Sequence, residues 1–212
     1  MTDFLYPFID ADERDPGPLL ADLARSAAAK ADATLALRTA TMAATATALV
    51  RLADDMAARF SAGGRLLTFG NGGSATDAAS VAALFRSAPG GRPLPARSLA
   101  ADEAVLTALA NDVGFDLVFS RQVIAHGRPT DIALGVSTSG DSANVVRALV
   151  EASARGLLTV GFAGYEGGAM AAAPLDHCVV VPSASVHRIQ ETQAALLFEL
   201  WRLVQGAVGR AA

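Results

Sequence analysis

Residues 134–146, LGVSTSGDSANVV, constrain this chain more than any other stretch. An apolar run through Ile132, Ala133, Leu134 and Val136 reads as a strand, and a helical pattern follows the turn after it. That turn, Ser137-Thr138-Ser139-Gly140-Asp141-Ser142, holds four hydroxyls, a glycine free to take positive φ, and no lysine or arginine. Backbone N–H groups at the opening of a helix, at the positive end of its dipole, form a site for a phosphate, and hydroxyls donate to further phosphate oxygens. Such a site holds an anion by hydrogen bonds rather than by a point charge, which suits a ligand that must leave again. The alternative is an N-cap on an ordinary βα turn. One cap needs one capping residue, whereas five of these six positions are polar.

The rest of the chain is organised to either side of this turn. Strands are expected at 65–69, 96–99, 132–136, 157–162 and 177–181. Helices are expected from the 70–74 turn to Leu84 or Phe85, after Asp102, at 117–125, at 143–155, shortly after Gly167-Gly168, and at 183–205. Strands alternating with helices imply an α/β fold with a parallel sheet covered on both faces. Ahead of it, residues 19–62 read as almost continuous helix, with Leu37, Ala40, Met42, Ala46, Leu49, Val50, Leu52 and Met56 on one wide face. A break near 28–34 would give two helices, and Gly63-Gly64 ends the run. These helices suit either an oligomer contact or packing on their own domain. Residues 1–18, with Tyr6, Pro7, Pro16 and Pro18, read as an irregular arm laid on another surface or as a frayed end.

At 212 residues the chain has room for one α/β domain and a helical appendage. A net charge of −4 argues against broad nucleic-acid binding, which wants a basic face. The single cysteine, Cys178, excludes an internal disulfide and any multi-cysteine metal site, and reads as inert core. No apolar run is expected to reach transmembrane length, and the acids in MTDFLYPFIDADERD do not suit a secretory signal, so a cytoplasmic protein without membrane contact is expected.

A second glycine turn, GNGGSA at 70–75, also follows a strand and opens a helix. It fits G-x-G-x-x-A, the dinucleotide fingerprint, which also wants an acid at the end of the second strand. Asp102 lies late for that role, so the match is partial, and no lysine follows either turn to make a Walker motif. Two phosphate-cradling turns at the ends of different strands read better as one sugar-phosphate site, in the crevice at the carboxyl ends of a parallel sheet.

GNGGSATDA, then AND at 110–112, then LGVSTSGDSANVVRAL, then RIQE at 188–191, come in an order and spacing that resemble the phosphoheptose isomerase family of sugar isomerase (SIS) domain proteins. The resemblance runs from about residue 33 to 205, which implies an arm and helix over 1–32 and a SIS domain over 33–212. It implies a three-layer α/β/α sandwich around a parallel sheet, with N-terminal helices, in a homotetramer. It also implies that Asn71, Gly72, Gly73, Ser74, Asn111, Asp112, Ser137, Thr138, Ser139, Ser142 and Gln190 hold the sugar phosphate, with the hydroxyl turn on the phosphate and the others on the sugar.

The catalytic set does not carry over. Aldose–ketose isomerisation moves a proton between adjacent carbons, so it needs a base, an acid and a group that polarises the carbonyl. The family resembled uses a Glu and a His that also help to hold zinc, with a second His and a Gln. Those positions fall here on Leu84, Ser80, Phe198 and Gln190 respectively, and only the glutamine survives. His187, just before Arg188, stands where an acid is common. His187 and Asp112 are the weak candidates for a replacement base–acid pair; a helix-start histidine bonded to backbone or phosphate is the other reading of His187. Glu191 adjoins Gln190 but points about 100° away around the helix. His126 reads as a helix-end residue and His177 as a surface one, and three scattered histidines without a close carboxylate make no zinc site. Trp201 and Phe198 read as core or oligomer contacts.

Three functions follow as expectations. The first is a sugar-phosphate-binding SIS protein without the zinc, Glu and His set, acting as a sensor or scaffold with a protein partner and needing no cofactor. The second is an active sedoheptulose 7-phosphate isomerase with replaced catalytic residues, zinc being its cofactor. The third and weakest is a nucleotide-binding oxidoreductase.

Overall fold

A computed structural model describes residues 17–211. Most of the expected N-terminal arm lies outside the described residues, and Gly17 and Pro18 open the first helix instead of closing that arm. Proline is suited to a first helical turn, where its missing N–H would have no partner. The chain divides into two units, Met1–Ala36 and Leu37–Ala212. Helix α1, Gly17–Ser61, runs from one into the other as a single helix of 45 residues, so the expected break near 28–34 is absent. Its sequence there, AAAKADATLAL, is rich in the strongest helix formers and holds no glycine or proline. An 18-residue window of α1 has a mean hydropathy of 1.2, which corrects the expectation that no run qualifies to cross a membrane. Length and composition are the whole of that signal.

In the second unit the sheet comprises β1 (Leu66–Gly70), β2 (Ala96–Ser98), β3 (Ile132–Ser137), β4 (Leu158–Gly164) and β5 (His177–Val181). All pairs are parallel and the order is β2-β1-β3-β4-β5. Between the strands come α2 (Gly73–Ser87), α3 (Glu103–Val113), α4 (Val118–His126), α5 (Ala143–Ala154) and α6 (Gly168–Ala172); α7 (Val186–Ala211) closes the described chain. Strand side chains alternate between two cores, as the two-residue period requires. Leu66, Ile132, Leu134, Val136, Val160 and Phe162 pack with Leu52, Met56 and Phe60 of α1, Phe85 of α2 and Leu196 and Leu200 of α7. Leu67, Phe69, Ala133 and Ala163 pack with Phe119 and Val123 of α4, Val145 and Leu149 of α5 and Met170 of α6. This is the expected three-layer sandwich. Each fully buried Phe or Leu contributes roughly 1.5–3 kcal/mol by transfer from water.

The strand order carries the functional consequence. From β1 the chain steps to β2 on one side and then crosses to β3 on the other, so β1 and β3 are neighbours across a topological switch point. Open α/β sheets bind ligands in the crevice outside the carboxyl ends of the strands at such a point. At the opposite end of these two strands the buried Asp131 fixes their register. Its Oδ1 accepts from the Arg65 backbone N–H at 3.0 Å, and its Oδ2 from Arg65 Nε and the Arg128 N–H, both at 3.1 Å.

Close packing of α5 on the sheet depends on Gly135, where a Cβ would stand 2.8 Å from Val145 Cγ1 and 3.0 Å from Leu149 Cδ1. Gly135→Ala is expected to destabilise the chain by about 1–3 kcal/mol in urea unfolding, as overpacked cores do.

Candidate functional site

Both glycine and hydroxyl turns leave the carboxyl ends of β1 and β3, whose last paired residues are Gly70 and Val136. The β3 turn folds its own hydroxyls together. Ser137 Oγ lies 3.0 Å from Ser142 Oγ and 3.4 Å from Ser139 Oγ. Ser137 Oγ accepts from the Gly140 N–H, and Ser139 Oγ from the Asp141 N–H, both at 3.1 Å. Ser142 occupies the N-cap position of α5 but makes no capping bond, which removes the reading of this turn as an ordinary N-cap. Helix α2 likewise begins at Gly72 without a side-chain cap. By contrast α3 is capped by Asp102, whose carboxylate accepts from the Val105 N–H at 3.1 Å. Asp102 is therefore engaged as the cap of α3.

Asp141 and Asn71 are both engaged by partners within the protein. Asp141 Oδ1 accepts from the Ala169 N–H at 2.8 Å, and the Gly140 carbonyl accepts from the Met170 N–H at 2.9 Å, so the turn is buttressed by α6. Gly140 takes φ +73°, and a Cβ there would stand 2.1 Å from the Gly167 carbonyl oxygen. Asn71 is engaged by Asn144, which sequence reasoning did not single out. Asn71 Nδ2 donates to Asn144 Oδ1 at 2.8 Å and Asn144 Nδ2 to Asn71 Oδ1 at 2.9 Å. Asn144 is buried, and this reciprocal amide pair ties the two turns to each other. Its only signal in the sequence is a second-position amide after the serine turn.

Gln190, in the first turns of α7, joins the β1 turn: a Cβ on Gly73 would lie 2.1 Å from its Nε2, so a side chain there would displace the amide. The same amide stands beside Asp77 of α2. Burial pushes the Asp77 carboxyl above its ordinary value, while the hydrogen bond from Gln190 pulls the other way. Asp77 Oδ2 is shut off from solvent without a hydrogen-bond partner. Beyond Asp77 opens a cleft of about 190 Å³ between α2 and α7, lined by Asp77, Ser80, Val81, Leu84, Ala194, Leu197 and Phe198. The Phe198 ring is 54% exposed and leans on the buried Trp201 with centroids 5.5 Å apart.

Of the remaining predicted residues, Ser74 is buried in the first turn of α2, and Thr138 is half-buried beside Ser137. Asn111 and Asp112 stand exposed at the end of α3, with Asn111 Nδ2 donating to Asp112 Oδ1 at 2.9 Å. Among the described residues no hydrogen bond ties either to the two turns, and none joins Asp112 to the exposed His187 of α7. His126 ends α4, and its carbonyl accepts from the Arg65 guanidinium. His177 does have a close carboxylate: its Nε2 lies 2.8 Å from Asp55 Oδ2, where β5 starts and away from the turns. Burial pushes the Cys178 thiol up, consistent with an inert residue. Among the described residues no group of three His, Cys, Asp or Glu side chains could hold a metal.

Comparison with known proteins finds a matching family model and relatives similar over most of this chain. A family model described as SIS domain matches residues 31–164. The phosphoheptose isomerase of Roseiflexus sp. is 43% identical over 162 residues, 74% of this chain and 80% of that protein. That of Rhodospirillum rubrum is 42% identical over 165 residues, 77% of this chain and 87% of its own. The solved structure of phosphoheptose isomerase from Neisseria gonorrhoeae superposes with a TM-score of 0.82 at 35% identity, covering 87% of this chain and 99% of that one.

Replacing Asn144 by Leu removes both amide bonds at nearly constant volume and leaves Asn71 unpaired. A loss of about 1–3 kcal/mol in urea unfolding is expected. A second expectation concerns pH. A carboxyl whose folded value lies above its ordinary 3.8 costs stability once ionised. Wild-type protein should therefore lose stability relative to Asp77→Asn as pH rises from that value through the raised one, read as diverging melting temperatures.

Proposed function

The chain belongs to the SIS-domain family, among proteins similar to phosphoheptose isomerases, and from that premise we propose that it binds a sugar phosphate without isomerising it. The phosphate sits on the hydroxyls of Ser137, Thr138, Ser139 and Ser142 and on the uncapped start of α5. The sugar lies over Gly72 and Gly73 toward Gln190. The observation that carries the binding half is the pair of uncapped helix starts tied together across adjacent strands by Asn71 and Asn144. Hydroxyls pre-oriented by one another give hydrogen bonds to an anion of about 1.5–3 kcal/mol each.

The non-catalytic half rests on the cleft. Ser80, Leu84 and Phe198, the positions that the family resemblance assigns to a His, the Glu and the other His of the catalytic set, do converge on one space beside Gln190. Their convergence supports that assignment, and their chemistry empties it. Leu84 and Phe198 have no lone pair for a metal and no proton to move, so this donor set does not fit zinc. His187 and Asp112, the substitutes considered, are both exposed and unjoined. A protein that holds the sugar phosphate and leaves it unchanged acts as a sensor or scaffold. The exposed leucines of α1, Leu20, Leu23 and Leu35, support association with a further chain, a homo-oligomer in this reading.

Calorimetric titration with sedoheptulose 7-phosphate, followed by a product assay in the same cell with and without zinc, is expected to show saturable binding and no product. Ser139→Ala and Ser142→Ala should each weaken binding about tenfold, the loss of one charge-assisted hydrogen bond. Turnover at an ordinary enzymatic rate would overturn the non-catalytic reading.

A further inference from the structure

The cleft between α2 and α7 has a second property, independent of what it lacks. It is an apolar niche with one ionisable residue in its lining, and it adjoins the phosphate turns through a single amide. Gln190 Nε2 lies against Gly73 on one side and beside Asp77 on the other. A ligand anchored by its phosphate at the serine turn and extended along Gly73 meets Gln190 and then this niche. We infer that the niche seats a small N-acyl group, so that the ligand is a phosphorylated N-acylamino sugar. This rests on the sugar-phosphate reading above and narrows it to one class.

The chemistry of the lining selects the substituent. A polyol chain would set most of its hydroxyls against Val81, Leu84, Leu197 and Phe198, with Ser80 the one hydroxyl in the lining to meet them. A free ammonium would suit Asp77 and be penalised by the same walls. An acylated nitrogen satisfies both demands. Its N–H has an acceptor in the Asp77 carboxyl, which stands in the lining of the niche. Its methyl goes to Leu84 and Val81, and the exposed face of Phe198 is available to cover the flat amide. At about 190 Å³ the niche is larger than a cavity of about 150 Å³ that takes benzene, so an acetyl group is accommodated.

Calorimetric titration of the full chain with N-acetylglucosamine 6-phosphate, glucosamine 6-phosphate, sedoheptulose 7-phosphate and inorganic phosphate tests this. The N-acetyl compound is expected to bind tightest, by about tenfold or more over the free amine, the discrimination that one small apolar group commands in a fitted pocket. Leu84→Glu, which sets a second carboxylate in the niche, should abolish that advantage. Phe198→Ala, at an exposed position, should reduce it. If the N-acetyl compound binds no better than either unacylated sugar, the inference is overturned while the sugar-phosphate reading stands. If none of the four ligands binds, that reading falls and the inference with it.

Discussion

The pairing of β1 with β3 is the constraint on which the rest of this structure depends. The two strands are separated in the chain by α2, β2, α3 and α4, yet they lie side by side and are clamped at both ends by side chains. Asp131 gathers donors from Arg65 and Arg128 where the strands begin, and Asn71 and Asn144 exchange amide bonds where they end. A slip of one residue would break both clamps and turn Leu66 and Leu134 away from their core. Because register is fixed, two turns that are 66 residues or so apart along the chain face a common crevice.

Much of this was legible because it is local. The five strands, the helices between them and the two turns are periodicity and punctuation, and the structure moves their ends by a residue or two, except where α7 begins at Val186 and continues to Ala211. Single-helix continuity through 28–34 was misread because alanine-rich sequence carries little hydrophobic contrast, so its period fades where its propensity is strongest. The roles of Asp141 and Asn71 were not legible. Both are polar residues in polar turns, and the bracing each takes part in depends on distant partners, Ala169 and Asn144. The bond between His177 and Asp55 was missed for the same reason, since 122 residues separate them.

The site has two halves of opposite character. At the β3 turn polar atoms are bound to one another in a tight ring, and the uncapped helix start adds a directional field. At the α2–α7 cleft the walls are leucine, valine and phenylalanine, and the one carboxyl is driven toward its neutral form by burial. Gln190 stands at the boundary, its amide in the space that a side chain on Gly73 would take. In the proposed reading, anion recognition and sugar recognition thus rest on different physics a few residues apart. A change at Leu84 or Phe198 alters the second and leaves the hydroxyl ring untouched.

The bracing of the serine turn by α6 has a consequence for how occupancy could be communicated. Gly140 and Asp141 are held by Met170 and Ala169 through bonds made within the protein. A cradle built before its ligand arrives loses little conformational entropy on filling, and it also changes shape little on filling. Two states that share one backbone leave a partner nothing to distinguish at the turn itself. In the proposed reading, what differs between empty and filled protein is then the surface that the sugar covers, at the exposed ring of Phe198 and the mouth of the cleft. Recognition of the filled form would read the ligand as part of the protein's own outer face.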